Sequence, residues 1–339
     1  MGVNLSDIIV AQEIRMSELK GKIVAIDAYN ALYQFLSIIR QPDGTPLRDS
    51  KGRVTSHLSG LLYRTANYLA EGIKPVYVFD GHPPDLKMRT IEERMKIRME
   101  AREKWEEALK RGEVKEARIM AQQASYLTKD MVSEAKKLLD CMGVPWVQAP
   151  GEGEAQAAYM AMKGDAYASA SQDFDSLLFG TPRLIRNLAI TGKRKLPRKR
   201  VYVDVKPEMI LLDGNLRNLG ITREQLVDIG ILVGTDYNEG VKGIGPKTAL
   251  KLIKKHGTLE EVMKVKGIEI DNYEKIRKIF LEPSVTDDYM LQWRTVDEDA
   301  LLSFLCDEHN FSRERVLSAV EKMKLFRKYR EQRSLDAWF

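Results

Sequence analysis

Seven acidic residues in this sequence fall where a chain of alternating strands and helices would bring side chains together. So many carboxylates cannot share one site as bare anions, because like charges a few ångströms apart raise one another's pKa. Divalent cations remove this conflict, and oxygen-only ligation without His or Cys selects Mg²⁺, with Mn²⁺ as a substitute. Two such ions about 3.5–4 Å apart would activate a water and stabilise the leaving oxygen of a phosphodiester. The seven are Asp27, Asp80, Glu152, Glu154, Asp173, Asp175 and Asp236.

The local sequence around two pairs of these acids favours convergence. Glu152 and Glu154 lie in the segment PGEGEA, whose glycines free the backbone just before a helix of small residues. Asp173 and Asp175 flank Phe174. In an extended segment, residues two apart share a face, so we expect both carboxylates to point one way and Phe174 to point into the core.

Each acid also has an ordinary structural explanation. Asp27 could be the N-cap of the helix that follows it, and Glu152 could complement a helix dipole. The pair Asp173 and Asp175 could lie on the surface, or belong to an aspartyl-phosphate phosphotransferase, in which the Glu-Gly-Glu pair would have no role. Asp236 follows a predicted apolar helix. Independent caps need not converge on one edge, so the set is more specific than its members.

The elements that would position the acids follow an α/β pattern. The runs KIVAID and KPVYVFD end in Asp27 and Asp80, and DAYASASQDFD repeats the arrangement more weakly. Helical patterns separate these strands, for example over 58–70 and 128–142. We therefore predict a mostly parallel central sheet with helices on both faces. Ligands of such sheets bind beyond the carboxyl ends of the strands.

A highly charged segment, residues 83–125, interrupts this pattern. Its one apolar stripe is narrow, which predicts long, poorly buried helices that stand off the main body. Lys87 and Arg94 follow Asp80 closely enough to lie over the metal site and hold a scissile phosphate. Tyr33 could stack on a base or pack in the core. The stripe consists of Met88, Ile91, Met95 and Met99.

Two further basic segments suit a polyanionic partner. In GVKGIGPKTAL, residues 240–250, Gly243 and Gly245 precede a proline at the first helical position, which exposes backbone N–H groups at a helix N-terminus. Lys247 and Lys251 add charge, so residues 221–260 are predicted to form a helix-hairpin-helix phosphate clamp that positions duplex without reading its sequence. The run KRKLPRKR, residues 193–200, is predicted to be an exposed loop.

Composition is consistent with this interpretation and excludes other classes. The 339 residues carry a formal charge of +5, and the two cysteines have no neighbouring ligands at zinc-site spacing. No signal peptide and no membrane-spanning run is predicted, so we expect a cytoplasmic protein with no membrane partner.

With these motifs in this order, the chain resembles the flap endonucleases, the structure-specific 5′ nuclease superfamily, in its archaeal form. The segments VFDGHPPDLKMR, APGEGEAQAAYM, SQDFDSLLFG and GTDYNEGVKGIGPKTAL carry the resemblance. It implies a single nuclease domain of the 5′-nuclease, PIN-like fold over residues 1–325, with 83–125 as a helical arch and cap. It also implies Mg²⁺-dependent removal of 5′ flaps from branched DNA, 5′–3′ exonuclease activity, roles in lagging-strand replication and base-excision repair, and a K⁺ ion at the hairpin.

The same resemblance assigns DNA contacts. It implies that Lys87 and Arg94 steer the scissile phosphate, that Tyr33 stacks on a base and that Thr55 lies at a one-nucleotide 3′ flap. His82 departs from the family, where Lys is common. The full set of expected duplex and flap contacts is Gly2, Tyr33, Arg40, Thr55, Arg64, Gly243, Gly245, Lys247 and Lys251.

The final residues, 326–339, are predicted to be a tail. QRSLDAWF resembles the sliding-clamp peptide, in which Leu335, Trp338 and Phe339 would share one face of a helical turn and Gln332 opens the motif. We expect a monomer that binds the clamp. The main alternative is a non-catalytic DNA-junction adaptor that recruits the clamp, which would have no use for seven carboxylates. Bubble-cutting and mismatch-repair relatives carry insertions or extensions that this sequence lacks.

Overall fold

A seven-stranded sheet forms the centre of the computed structural model, which describes the backbone of residues 2–190, 192–195 and 202–336 and the side chains of residues 2–190 and 205–324. In order across the sheet the strands are β1-β9-β6-β5-β2-β3-β4. The five strands from β6 to β4 run parallel, β9 pairs antiparallel with β6, and β1 pairs antiparallel with β9, so the prediction of a mostly parallel sheet is confirmed. The strands are β1 (Gln12–Glu13), β2 (Ile23–Asp27), β3 (Lys74–Phe79), β4 (Trp146–Gln148), β5 (Ala168–Ala170), β6 (Arg183–Arg186), β7 (Gly192–Lys195), β8 (Tyr202–Val205) and β9 (Glu208–Leu211).

Helices cover both faces of the sheet, because its central strands are apolar on both faces. Val24 and Ile26 of β2 belong to the core on one face, and Ala25 between them packs into the core on the other. The helices are α1 (Ala28–Ile38), α2 (Ser56–Ala70), α3 (Met88–Lys110), α4 (Val114–Gln123), α5 (Lys129–Cys141), α6 (Gly153–Lys163), α7 (Asp175–Leu178), α8 (Leu212–Leu219), α9 (Arg223–Val233), α10 (Pro246–His256), α11 (Leu259–Lys266), α12 (Tyr273–Leu281), α13 (Glu298–Leu302) and α14 (Arg313–Asp336).

The charged segment 83–125 forms the helical hairpin α3–α4. The stripe residues Met88, Met95 and Met99 are exposed, which agrees with the prediction of poorly buried helices. Alanines make the contact instead, with Ala101 of α3 and Ala117 of α4 buried. Small side chains let the two helix backbones approach closely, which leaves the longer apolar side chains outside.

Two predicted loop or tail segments are regular. The strand β7 pairs antiparallel with β8, so the first part of the run 193–200 is a strand rather than a loop. Residues 196–201 lie outside the described residues. Helix α14 continues past position 326, where the tail is predicted to begin. The clamp-peptide prediction lies outside the described part of the chain, because the side chains of Gln332 and Leu335 and all of Trp338 and Phe339 are not described.

No helix within the described residues has both the length and the apolar composition needed to cross a bilayer.

Candidate active site

The first two acids lie at the carboxyl ends of the neighbouring parallel strands β2 and β3. Asp27 accepts a hydrogen bond from the backbone N–H of Asn30 at 3.0 Å, so it also caps α1. The cap explanation left open by the sequence therefore holds, and the metal-site explanation stays a prediction. Asp80 accepts from the N–H of Gly153 at 2.7 Å, at the start of α6. A Cβ at Gly153 would lie 2.8 Å from the Asp80 carboxylate, so glycine allows this helix N-terminus to approach it.

The glutamates of PGEGEA lie at the N-terminus of the same helix. Glu152 is the N-cap residue of α6 and accepts hydrogen bonds from the Lys87 ammonium and, at 2.6 Å, from the Tyr237 hydroxyl. Glu154, in the first turn, accepts from the Ser176 hydroxyl at 3.0 Å. The two carboxylates therefore have different polar neighbours within one pocket.

The pair Asp173 and Asp175 lies in a tighter turn than predicted. Phe174 has helical backbone angles, and Asp175 begins the short helix α7, so the extended segment assumed from the sequence is wrong. Phe174 is nevertheless buried, as expected. Asp173 accepts from the Asn30 side-chain amide at 3.3 Å.

The N-terminal segment closes the pocket beside Asp175. The Val3 N–H donates to the Asp175 carboxylate at 2.7 Å. A Cβ at Gly2 would lie 2.5 Å from the same carboxylate, so only glycine fits at this position without a shift. Gly2, predicted as a DNA contact, thus lies against the acidic pocket.

Burial, together with repulsion between neighbouring carboxylates, raises the pKa of four of these acids. Burial is the first cause for Asp80, Asp175 and Glu154. For Asp80 it is partly offset by Lys87, and the pKa rises to about 6. For Asp175, burial and the Asp236 carboxylate raise the pKa to about 7. Burial and then Asp80 hold the pKa of Asp27 well above its usual range.

Two cationic side chains of the arch, Lys87 and Arg94, point into the acidic pocket. Lys87 lies 3.3 Å from the Asp236 carboxylate as well as pairing with Glu152, and Arg94 donates to Asp236. Burial alone would raise the pKa of Asp236, but Lys87 and Arg94 together lower it. Likewise burial would lower the pKa of Lys87, and the carboxylates of Glu152 and Asp236 raise it instead.

The donor set fits hard divalent cations, since it offers carboxylate oxygens without His or Cys and concentrates repulsion that a cation would relieve. Within the described part of the chain, however, no three acidic, His or Cys side chains form a group that already encloses a metal ion. The carboxylates are turned toward local donors: Glu152 toward Lys87 and Tyr237, and Glu154 toward Ser176.

Tyr33 lies under the arch rather than in the core. Its ring is half-buried, and the Arg98 guanidinium lies over it at 4.6 Å from the ring centroid. Arg98 also donates to the Tyr33 hydroxyl at 2.9 Å. Core packing, the rival explanation, is thereby disfavoured, and stacking on a base stays a prediction.

The other expected DNA contacts are dispersed. Thr55 is buried at the N-cap of α2, which does not support a contact through its side chain. Arg64 is half-buried on the same helix. Arg40 donates to the carbonyls of Leu36 and Gly44 and to the Ser125 hydroxyl.

The segment between α9 and α10 has the predicted exposed glycine turn. Gly243 has a φ of +85°, and Gly245 is the N-cap of α10 without a side-chain hydrogen bond. No atom lies within 4 Å of a Cβ placed on either glycine, so this helix N-terminus opens outward. Lys247 and Lys251 are exposed beside it.

Sequence reasoning missed three hydrogen-bonding residues of the pocket. Asn30 bridges the α1 N-terminus to Asp173, Tyr237 orients Glu152, and Ser176 orients Glu154. Each lies within three residues of a predicted acid, and this closeness in sequence was the one feature that could have identified them. Their side-chain directions depend on the turns between elements, which spacing alone does not define.

The raised pKa of Asp175 predicts a pH-dependent stability. A raised folded-state pKa means that ionisation costs folding free energy, so Asp175→Asn should stabilise the protein in EDTA at pH 8. We expect a rise in Tm of about 3 °C or more. The difference in Tm between the variant and the natural chain should shrink as the pH falls from about 7, the folded pKa of Asp175, toward about 4, its unfolded pKa. Thermal unfolding between pH 4.5 and 8.5 measures this, with the exposed Asp7→Asn as the charge-matched control. A stabilisation independent of pH would contradict the assignment.

Two protein-family models match separate parts of the chain. The XPG N-terminal domain matches residues 1–101 and the XPG I-region matches residues 143–236. These two regions contain all seven acids. Residues 102–142, which include most of the arch, lie between them.

Full-length relatives are similar along the whole chain. Flap endonuclease 1 of Hyperthermus butylicus is 60% identical, with 100% of this chain and 99% of the relative covered. That of Archaeoglobus fulgidus is 57% identical with both chains fully covered. Among solved structures, flap endonuclease-1 from Methanococcus jannaschii has a TM-score of 0.77 at 44% identity, over 97% of this chain and 100% of that one. The catalytic core of Rad2 in complex with DNA substrate has a TM-score of 0.68 at 25% identity, over 91% and 95%. The chain belongs to the flap endonuclease family.

Proposed function

We propose that this chain is a divalent-metal-dependent, structure-specific nuclease that removes 5′ flaps from branched DNA near the junction, with accompanying 5′–3′ exonuclease activity. Its setting would be lagging-strand replication and base-excision repair. The observation that carries the proposal is one pocket of seven carboxylates with two arch cations directed into it. Relatives named as flap endonucleases, and a related core solved with DNA substrate, support the choice of substrate.

The acids divide into two groups that would hold two Mg²⁺ ions. Bound there, the ions would supply a nucleophilic water and neutralise the leaving oxygen. The protein's own contribution is to hold the carboxylates at rigid strand ends and helix N-termini. Asp27, Asp80, Glu152 and Glu154 would serve one ion, and Asp173, Asp175 and Asp236 the other.

Lys87 and Arg94 would hold the scissile phosphate. Both reach the pocket from the start of α3 and pair there with the carboxylates of Glu152 and Asp236. A phosphate oxygen competes well for such donors, because charge-assisted hydrogen bonds to an anion are stronger than neutral ones. Transfer of these cations from carboxylate to phosphate would place positive charge where negative charge develops in the transition state.

The remaining elements would select the substrate. The arch over 83–125 would restrict the pocket to a single strand. The helix-hairpin-helix region over 221–260 would bind duplex phosphates at the open α10 N-terminus and hold a K⁺ ion. Residues 1–325 would act as one nuclease domain in a monomer. Gln332, Leu335, Trp338 and Phe339 would bind a sliding clamp.

Asp173→Ala tests the enzyme and its site together. We expect Mg²⁺-dependent cutting of a labelled 5′-flap duplex by the natural chain and a loss of more than about 100-fold in the variant, because even outer-shell partners of a metal contribute about 10- to 100-fold. The exposed Asp307→Ala is the matched control. Uncut substrate with the natural chain in Mg²⁺ overturns the enzyme proposal, and full activity of Asp173→Ala overturns the site assignment.

Lys87→Ala separates chemistry from binding. Loss of a contact made to the reacting phosphate should lower kcat by about 100-fold while duplex affinity changes by less than about 3-fold. Lys96→Ala, which removes an exposed charge from the same helix, is the control. Single-turnover rates and anisotropy titrations measure the two quantities. Equal losses in both would reduce Lys87 to an ordinary phosphate contact.

Deletion of residues 332–339 isolates the clamp peptide. Basal flap cutting should be unchanged, because these residues are remote in sequence from every acid of the pocket. Stimulation by a sliding clamp should disappear. Clamp binding that survives the deletion, measured by titration calorimetry, would show that the peptide assignment is wrong.

A further inference from the structure

A cavity separate from the acidic pocket lies beside the C-terminal half of α3. We call it the cap cavity: it is enclosed by the loop over residues 40–54 and by α3 and α4, and Arg40, Arg48, Arg102, Trp105 and Tyr126 are among its lining residues. None of the seven acids lines it.

The size of the cap cavity suits one small aromatic ring. Its volume is about 140 Å³, and an engineered cavity of about 150 Å³ is sufficient to bind benzene. Two aromatic side chains, Trp105 and Tyr126, contribute to its walls together with the apolar side chains of Leu36 and Val54. A single-ring base would find both aromatic and aliphatic contacts there.

The indole of Trp105 provides an unused donor. Its Nε1 is shielded from solvent and has no hydrogen-bond partner among the described residues. A buried N–H without an acceptor is rare in folded proteins because its desolvation is not compensated. A ligand carbonyl in the cavity would satisfy it, and pyrimidine bases carry such a carbonyl.

The charge of the cavity wall favours an anionic ligand. The Arg40 guanidinium is fixed by three neutral acceptors, and Arg48 donates to the carbonyl of Gly52. In the part of the chain with described side chains, neither arginine pairs with a carboxylate. Arg102 has a partner, Glu106, at 3.3 Å. Two uncompensated cations beside an aromatic cavity suit a nucleotide, whose phosphates would stay outside while its base enters.

A continuous stripe of α3 connects the cap cavity with the acidic pocket. Arg94, Arg98, Arg102 and Trp105 follow one another at spacings of four, four and three residues, which places them on one helix face. The rise from Arg94 to Trp105 is about 16 Å. A single strand that leaves the acidic pocket along this face would meet three arginines before reaching the indole.

We infer that the cap cavity binds one unstacked pyrimidine base of the single-stranded 5′ flap, with Trp105 donating to a base carbonyl and the arginines facing the flanking phosphates. This inference rests on the proposed function, because it takes the flap as the strand that follows α3. The base is held by stacking and by one hydrogen bond, and the arginines bind the flanking phosphates through charge.

The test is a scan of single abasic residues along an all-thymine flap. Binding of each 5′-flap duplex to the full chain is measured by fluorescence anisotropy in EDTA, so that no metal-dependent cutting interferes. With the natural chain, one position or two adjacent positions should weaken binding about 5-fold or more when the base is removed. Adenine at that position should also bind more weakly than thymine, since the cavity holds a single ring.

Two variants assign the effect to the cavity. In Trp105→Ala the intact flap should bind about 5-fold more weakly and removal of the base at that position should have no further effect. Trp105→Phe keeps an aromatic ring for packing and loses the N–H, so it should show an intermediate loss with an unchanged Tm. Ile97→Ala removes an exposed apolar side chain from the same helix and serves as the control.

Two results would overturn the inference: base removal that has the same effect at every flap position, or a position-specific effect that persists in both Trp105 variants. The proposed function fails by a different observation, namely the absence of Mg²⁺-dependent cutting of the unmodified flap. Because the scan measures binding without metal, its outcome is separate from that one.

Discussion

Repulsion among buried carboxylates is the constraint to which the rest of this structure responds. Asp27, Asp80 and Asp175 are ionisable groups removed from water and placed beside other acids, which is why the pKa of each is raised. A flexible chain would relieve such repulsion by moving apart. Here the acids are fixed at the ends of parallel strands and at helix N-termini, where backbone N–H groups such as that of Gly153 compensate part of the cost.

The remaining compensation comes from the arch. Lys87, the N-cap residue of α3, and Arg94, in the second turn of that helix, pair with Glu152 and Asp236. The position of the arch is therefore coupled electrostatically to the charge of the pocket. A cation that neutralised the carboxylates would weaken these ion pairs and free both side chains for a phosphate, so metal occupancy and substrate capture would favour each other through linkage. Tyr33 and Arg98 add a further contact between arch and body.

The sequence predicted the parts of this arrangement that depend on periodicity and on strand ends. Asp27 and Asp80 follow β-branched runs, and parallel strands place their carboxyl ends at one edge, so proximity followed directly. The turn at Asp173 and Asp175 was not predicted, because β5 is only three residues long and the chain bends before a strand-like alternation is established. Neither the spacing of the acids nor the resemblance to a known family carried information on their hydrogen-bond partners.

In the arch, the hydrophobic pattern of the sequence did not predict which residues make the contacts. Its narrow stripe of methionines predicted poorly buried helices, but it did not indicate that alanines make the interface between α3 and α4 or that arginines face the body. By hydrophobicity alone, Met would be expected at a buried helix interface before Ala. Two helices can approach closely only where the side chains between them are small, which favours Ala. Arg98 faces inward although arginine is mostly an exposed residue, since the Tyr33 ring and hydroxyl provide it with a cation–π contact and an acceptor.

The fold places the proposed catalytic acids and the proposed strand-selecting arch on different supports. The acids depend on the sheet, whose core residues are fully buried and tolerate little displacement. The arch contacts the pocket through ion pairs that a phosphate can replace, so it can adjust to a strand without disturbing the carboxylates. A rigid pocket beneath an exchangeable set of cations is the arrangement that cutting at a junction requires: the site must stay in place while the strand enters.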